Sequence, residues 1–170
     1  MTVAIYSGSF DPITFGHLDV IKRALTVFNK VLIVIGVNPN KQTLFSAQER
    51  ADLISSALSE SADLYSQQNR LPIFSTELLL TQVAKELRAD AIVRGVRTAS
   101  EFESEQTMAL LNRQLSGIET VLLIADPKYG HISSSAVKEI ASFGGDVSGM
   151  VPDVVAQALP PAGCANGQRR

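Results

Sequence analysis

Four apolar, largely β-branched runs punctuate the chain: "TVAIY" (2–6), "VLIVIGV" (31–37), "AIV" (91–93) and "TVLLIA" (120–125). They lack the polar alternation of a half-exposed strand, so they predict strands buried on both faces. The shorter "PIFS" (72–75) predicts a fifth. Between these runs the period changes to that of a helix. Leu18, Ile21, Leu25 and Phe28 follow helical spacing and predict a helix ending near Asn29. "SAQERADLISSAL" opens with Ser46 and Glu49 spaced as a capping box. "TELLLTQVAKEL" and "SEFESEQTMALLNRQL" predict two further helices, a short one follows "ISSS", and the last has Pro152 near its first position.

Strand and helix therefore alternate. That order predicts an α/β fold with a doubly wound, mainly parallel five-stranded sheet in a three-layer sandwich. No internal repeat or linker interrupts it, so residues 1–159 are expected to form a single domain. Residues 160–170, rich in Gly, Pro and polar groups, are expected to be a disordered tail. In such a sheet the ligand site lies beyond the carboxyl ends of the strands, near the reversal of strand order. The segments expected there are 7–17, 38–45, 94–100 and 126–135.

Composition narrows the class. A chain of 170 residues with 45% hydrophobic and 19% charged residues has enough apolar surface for one core. Lys and Arg number 15 against 17 Asp and Glu, a net charge of −2, which argues against a broad nucleic-acid surface. Any bound anion must be held by a local cluster. Cys164 is the sole cysteine, so no internal disulfide is possible, and it reads as an incidental tail residue. "MTVAIYSG" lacks the basic and long apolar regions of a signal peptide, and "VLIVIGV" is too short to span a bilayer. The expectation is a cytoplasmic protein without a membrane partner.

Neither G-x-x-x-x-G-K-[S/T] nor a G-x-G-x-x-G after the first strand is present, so a nucleotide would have to be held another way. "SGSFDPITFGH" (7–17) supplies one way. Gly8 allows close backbone approach, Ser9 offers a hydroxyl and an amide, and Gly16 places His17 in the first turn of a helix. A helix N-terminus attracts phosphate and disfavours a cationic imidazole, so His17 is expected to be a neutral donor. Against that, a lone histidine near a helix start is more often structural. Lys41, in "VNPNKQTLF", follows a buried strand and faces the expected site, although a solvated lysine is the commoner outcome. In "VRGVR", Arg94 ends a buried strand and needs an anion, either a ligand or a protein carboxylate. Gly95 suggests close backbone approach to a ligand. In "YGHISSSAVKE" one of Ser133, Ser134 and Ser135 should cap a helix, and three hydroxyls with free amides make a phosphate cradle. His131 is open between packing and a ligand contact.

These residues resemble a known set. "GSFDPITFGH" is similar to the G-x-F-D-P-x-T-x-G-H signature of the nucleotidyltransferase superfamily, and "ISSS" to its second signature. Most branches carry H-x-G-H, whereas Thr14 to His17 read T-F-G-H. With "NPNK", "RGVR" and "EFESE", that variant resembles the bacterial phosphopantetheine adenylyltransferases over residues 2–159. The resemblance implies a Rossmann-like fold and adenylyl transfer from ATP to 4'-phosphopantetheine, giving dephospho-coenzyme A and pyrophosphate. By position it implies that His17 is catalytic and stabilises the transition state. It implies ATP contacts from Ser9, Phe10, His17, Gly95, Val96, Arg97, Glu105 and the run Tyr129, Gly130, His131, Ile132, Ser133, Ser134 and Ser135. Phosphopantetheine would meet Ser9, Lys41, Leu80 and Arg94. Mg²⁺ would arrive with the ATP phosphates, no protein metal site being expected. A homohexamer and feedback inhibition by coenzyme A are implied as well.

The chain also departs from the family. Ser7 stands where many relatives have proline, and Ser104 where an aromatic residue often precedes the binding glutamate. "SADLYSQQNRLPIF" is longer than in close relatives, implying a different edge to the acceptor pocket. Two rival readings are a sister enzyme with another acceptor, which Thr14 argues against, and a non-catalytic nucleotide-binding module, which His17 argues against.

Overall fold

The computed structural model describes residues 1–163; Cys164 and the remainder of the expected tail lie outside them. Five parallel strands form one sheet in the order β3-β2-β1-β4-β5: β1 (Val3–Gly8), β2 (Lys30–Gly36), β3 (Ile73–Thr76), β4 (Ala91–Val96) and β5 (Glu119–Ile124). The central strands are apolar on both faces because helices cover both. Ala4, Tyr6, Val31, Ile33, Ile35, Ala91 and Val93 face one layer, joining residues of α1 (Phe15–Val27), α2 (Ala47–Glu60), α6 (Ser134–Ser142) and α7 (Asp153–Ala158). Ile5, Leu32, Val34 and Ile92 face the other, with Val83 and Ala84 of α4 (Leu80–Glu86). α5 (Ala99–Ser116) packs beside α4, β4 and β5.

All five expected strands form. β1 and β4 run further than their apolar runs indicate, through Ser7–Gly8 and Arg94–Val96. β4 continues because Arg94, Gly95 and Val96 pair with Leu122, Leu123 and Ile124 of β5, so residues 94–96 are strand and not loop. The Ser46–Glu49 box forms, with Ser46 N–H donating to Glu49 at 2.8 Å and Glu49 N–H to Ser46 Oγ at 3.2 Å. α4 starts only at Leu80: Thr76 still belongs to β3, and its hydroxyl accepts the Leu78 amide at 3.0 Å.

The long segment after α2 forms the short α3 (Ala62–Tyr65) and a single 3-10 turn at Gln68–Arg70. Arg70 donates to the carbonyls of Leu25, Phe28 and Asn29 at 2.7 to 3.0 Å, which fixes this segment at the C-terminal end of α1. At the start of the expected tail, Gly163 N–H reaches Ser142 O at 3.3 Å. Among the described residues no helix is long and apolar enough to cross a membrane.

Candidate active site at the split between β1 and β4

β1 and β4 pair only as far as Tyr6–Val93. Beyond that point β1 continues beside β2 alone and β4 beside β5 alone. The divergence opens a cavity of about 300 Å³ at the switch in strand order. Residues from four segments line it: Ser9 and His17, Arg94 and Arg97, Glu101 and Glu105, and Ile132 to Ser135.

His17 is held by the start of its own helix. Thr14 caps α1, its hydroxyl accepting the His17 amide at 3.4 Å. In return the Thr14 N–H donates to His17 Nδ1 at 3.1 Å. This is a capping box with histidine in the place usual for Glu or Gln. Because Nδ1 accepts a backbone N–H, the proton of the neutral ring resides on Nε2. Burial, reinforced by the Arg97 and Arg94 charges, lowers the His17 pKa from 6.5 to about 4. At neutral pH the cavity therefore meets an uncharged N–H donor.

Phe10 carries the ring from below. It is buried, sits at φ 46°, and lies edge-on to both Tyr6 (5.4 Å) and His17 (5.1 Å). Gly8 makes room for it, since a Cβ there would lie 3.2 Å from the Phe10 ring. The cost of a positive φ at an aromatic residue is of order 1–3 kcal/mol. Buried Arg50 helps to hold this loop, donating to Ser9 O at 2.8 Å.

The two arginines already have carboxylate partners. Arg94 Nε donates to Glu105 at 2.8 Å, and a second nitrogen of the same guanidinium bonds the other carboxylate oxygen. Its remaining arm reaches the Ser7 carbonyl, with Ser7 Oγ at 3.3 Å. Arg97 forks onto Glu101 and also donates to the Ile132 carbonyl. Glu101 and Glu105 stand one turn apart on α5, so a single helix face orients both cations. Arginine forks bind carboxylate and phosphate by the same geometry, so a phosphate can take over either carboxylate's place. Of the three serines, Ser133 caps α6 by accepting the Ala136 amide at 3.0 Å, and Ser134 Oγ donates to Pro12 O at 2.8 Å. Of the three hydroxyls, only that of Ser135 is without a partner among the described residues, beside the first amides of α6, which have no helical acceptor. No group of three or more His, Cys, Asp or Glu among the described residues is placed to hold a metal ion.

The chain matches the cytidylyltransferase-like family over residues 5–140. It is 45% identical to the phosphopantetheine adenylyltransferase of Caldanaerobacter subterraneus over 160 residues, covering 94% of this chain and 96% of that one. With the Bifidobacterium longum phosphopantetheine adenylyltransferase it shares 44% over 170 residues, covering 100% and 99%. It belongs to the phosphopantetheine adenylyltransferase family. Solved structures share the fold at lower identity. The Plasmodium falciparum nicotinic acid mononucleotide adenylyltransferase complexed with NaAD superposes at TM-score 0.67 and 16% identity, covering 92% of this chain and 93% of that one. A putative nicotinate-nucleotide adenylyltransferase from Vibrio parahaemolyticus gives 0.63 and 15%, covering 93% and 98%.

Several family positions lie outside the cavity wall. Phe10 and Val96 are buried in the core. Tyr129, Gly130 and His131 do not line the cavity; Tyr129 packs 6.5 Å from Phe15, and His131 is exposed. Lys41 is exposed on the 38–45 loop with no side-chain partner among the described residues. Leu80 packs toward the α4 layer of the core, while Leu78 and Leu79 are exposed. Gly95, by contrast, lines the cavity, and its missing Cβ also makes room for α1, since a methyl there would lie 2.7 Å from Val20 Cγ2.

Sequence reasoning passed over two acidic groups. Glu101 was one, although its place a turn before Glu105 on a predicted helix was readable. Asp11 was the other. It is buried and accepts the Leu44 and Phe45 amides at 2.9 Å and Lys138 Nζ at 2.8 Å. Burial alone would raise its pKa, but the Lys138 and amide hydrogen bonds outweigh that and hold it below the usual carboxylate range. Asp11 thus ties the first loop, the Lys41 loop and α6 together.

Proposed function

We propose that this protein transfers the adenylyl group of ATP to 4'-phosphopantetheine, forming dephospho-coenzyme A and pyrophosphate in coenzyme A biosynthesis. The observation that carries the reading is His17, a neutral Nε2–H donor fixed beside Arg94 and Arg97 in one cavity. A phosphate oxygen of the acceptor attacks the α-phosphorus of ATP in line. A new P–O bond forms, the bond to the bridging oxygen breaks, and its electron pair leaves with pyrophosphate. Two anions must meet, so repulsion is the main barrier and positioned cations the main remedy. Arg94 and Lys41 hold the acceptor phosphate. Arg97, Ser135 and the α6 amides hold the ATP phosphates, and His17 donates to the α-phosphate oxygens as charge grows on them. Mg²⁺ enters as part of the ATP complex and offsets charge on the phosphates.

Glu105 and Glu101 keep the arginines oriented until the reactants arrive. The reaction runs in the cytoplasm. The working form is a homohexamer, supported by the apolar stripe Met108, Leu111 and Leu115 on α5, which is exposed in the single chain. Coenzyme A, which carries both the pantetheine arm and the transferred nucleotide, acts as feedback inhibitor.

The test is pyrophosphate release from Mg-ATP with a panel of acceptors. Release with 4'-phosphopantetheine, and none with nicotinate mononucleotide or glycerol 3-phosphate, is expected. Preference for either of the others, or binding of ATP without release, overturns the reading.

A further inference from the structure

Tyr6 is the last β1 residue to pair with β4 before the strands part. Its side chain is only 5% exposed, yet it lines the cavity with His17, Arg94 and Arg97. The ring is fixed edge-on against Phe10 at 5.4 Å and lies 6.4 Å from His17. The hydroxyl, by contrast, makes no hydrogen bond among the described residues. Nor is it sealed in, because among them the one fully enclosed side-chain polar atom without a partner is Thr120 Oγ1. The Tyr6 oxygen therefore opens on the cavity.

A phenol at this depth normally finds a partner, because an unpaired buried hydroxyl costs free energy. Phenylalanine would fill the same space and meet the same rings. What the oxygen adds is a donor aimed into a cavity walled by two guanidinium groups and an imidazole N–H. Burial raises the Tyr6 pKa well above the ordinary phenol range, against the opposing pull of Arg94 and Arg97, so the group keeps its proton.

We propose that the Tyr6 hydroxyl is a substrate-contacting group, donating a hydrogen bond to a phosphate oxygen held between Arg94, Arg97 and His17. The proposal rests on the reading that this cavity receives two phosphate-bearing reactants. The oxygen belongs either to ATP or to the acceptor, which share this chemistry. The unliganded protein leaves the donor unpaired, and the arriving phosphate satisfies it.

The test is Tyr6→Phe, which removes one atom and no intramolecular hydrogen bond. Mg-ATP and 4'-phosphopantetheine are titrated separately by calorimetry, and steady-state rates and the melting temperature are measured alongside. A hydrogen bond to a charged acceptor corresponds to about a tenfold to hundredfold effect. The expected result is a loss of that size in kcat/KM with an unchanged melting temperature. If weakened binding is confined to Mg-ATP, the contact is to the nucleotide; if confined to phosphopantetheine, to the acceptor. If binding of both is unchanged and kcat alone falls, the bond forms as charge develops. Rates within about twofold of wild type, or a loss that accompanies a lower melting temperature, overturn the proposal. Failure of the wild-type protein to bind either reactant would instead overturn the functional reading beneath it.

Discussion

His17 serves two purposes with one ring. Nδ1 closes the N-terminal turn of α1, and that bond leaves Nε2–H for the cavity. His17→Ala should lower kcat by at least about a hundredfold, the usual worth of a donor to developing charge, while ATP binding and the fold survive. Turnover near the wild-type rate would remove His17 from the mechanism. The same residue shapes stability against pH. Its pKa is about 4 in the folded protein against 6.5 for the free side chain, so between these values the unfolded chain binds a proton that the native state does not. Stability contributed by His17 should therefore fall as pH drops from about 6.5 toward 4. Melting temperatures across that range should decline less steeply for His17→Gln; identical slopes would contradict the assignment. The position and neutrality of His17 were legible in the sequence, because Gly16 precedes it at a helix start and a helix N-terminus disfavours a cationic ring. Its hold on the Thr14 amide was hidden, because histidine is not the residue expected in a capping box. Arg94's need for an anion was equally readable, but whether a ligand or a carboxylate met it depended on how α5 packs.

At the scale of elements, the cavity exists because β1 and β4 part company after Tyr6–Val93 while α1 stays pressed against β4. Gly95 permits that contact. Gly95→Ala would drive a Cβ to 2.7 Å from Val20 Cγ2, and a β-branched residue within a helix has little rotamer freedom to escape. Overpacking of this kind costs about 1–3 kcal/mol. Urea unfolding should show that loss for Gly95→Ala, with partial recovery in the Gly95→Ala, Val20→Ala double variant; additive losses would mean that the two positions do not collide. The strands and helices themselves were readable from periodicity. Their ends were less so. "RGV" reads as loop because Arg and Gly are poor strand residues, and only pairing with β5 carries β4 through them. Asp11 escaped notice for a related reason: its partners, Leu44, Phe45 and Lys138, are 33 to 127 residues away. Long-range hydrogen bonds leave no periodic trace.

For the whole molecule, the parallel sheet and a cavity at its switch in strand order followed from the alternation of strand and helix. Assembly did not, because an exposed apolar stripe and a core-facing one have the same periodicity. Met108, Leu111 and Leu115 are spaced as a helix face that the other described residues leave exposed. Light scattering should give a mass several times that of one chain, and Leu111→Glu should reduce it without loss of secondary structure. A monomeric wild type would contradict the assembly.

The central claim is that a single cavity at the β1–β4 split brings together both reactants. A crystal structure with a non-hydrolysable ATP analogue and 4'-phosphopantetheine tests it most directly. His17 Nε2 should lie within hydrogen-bonding distance of an α-phosphate oxygen, with Arg94 on the acceptor phosphate and Ser135 near the triphosphate. Nucleotide and acceptor bound in separate pockets, or His17 turned away from the α-phosphate, would contradict the account.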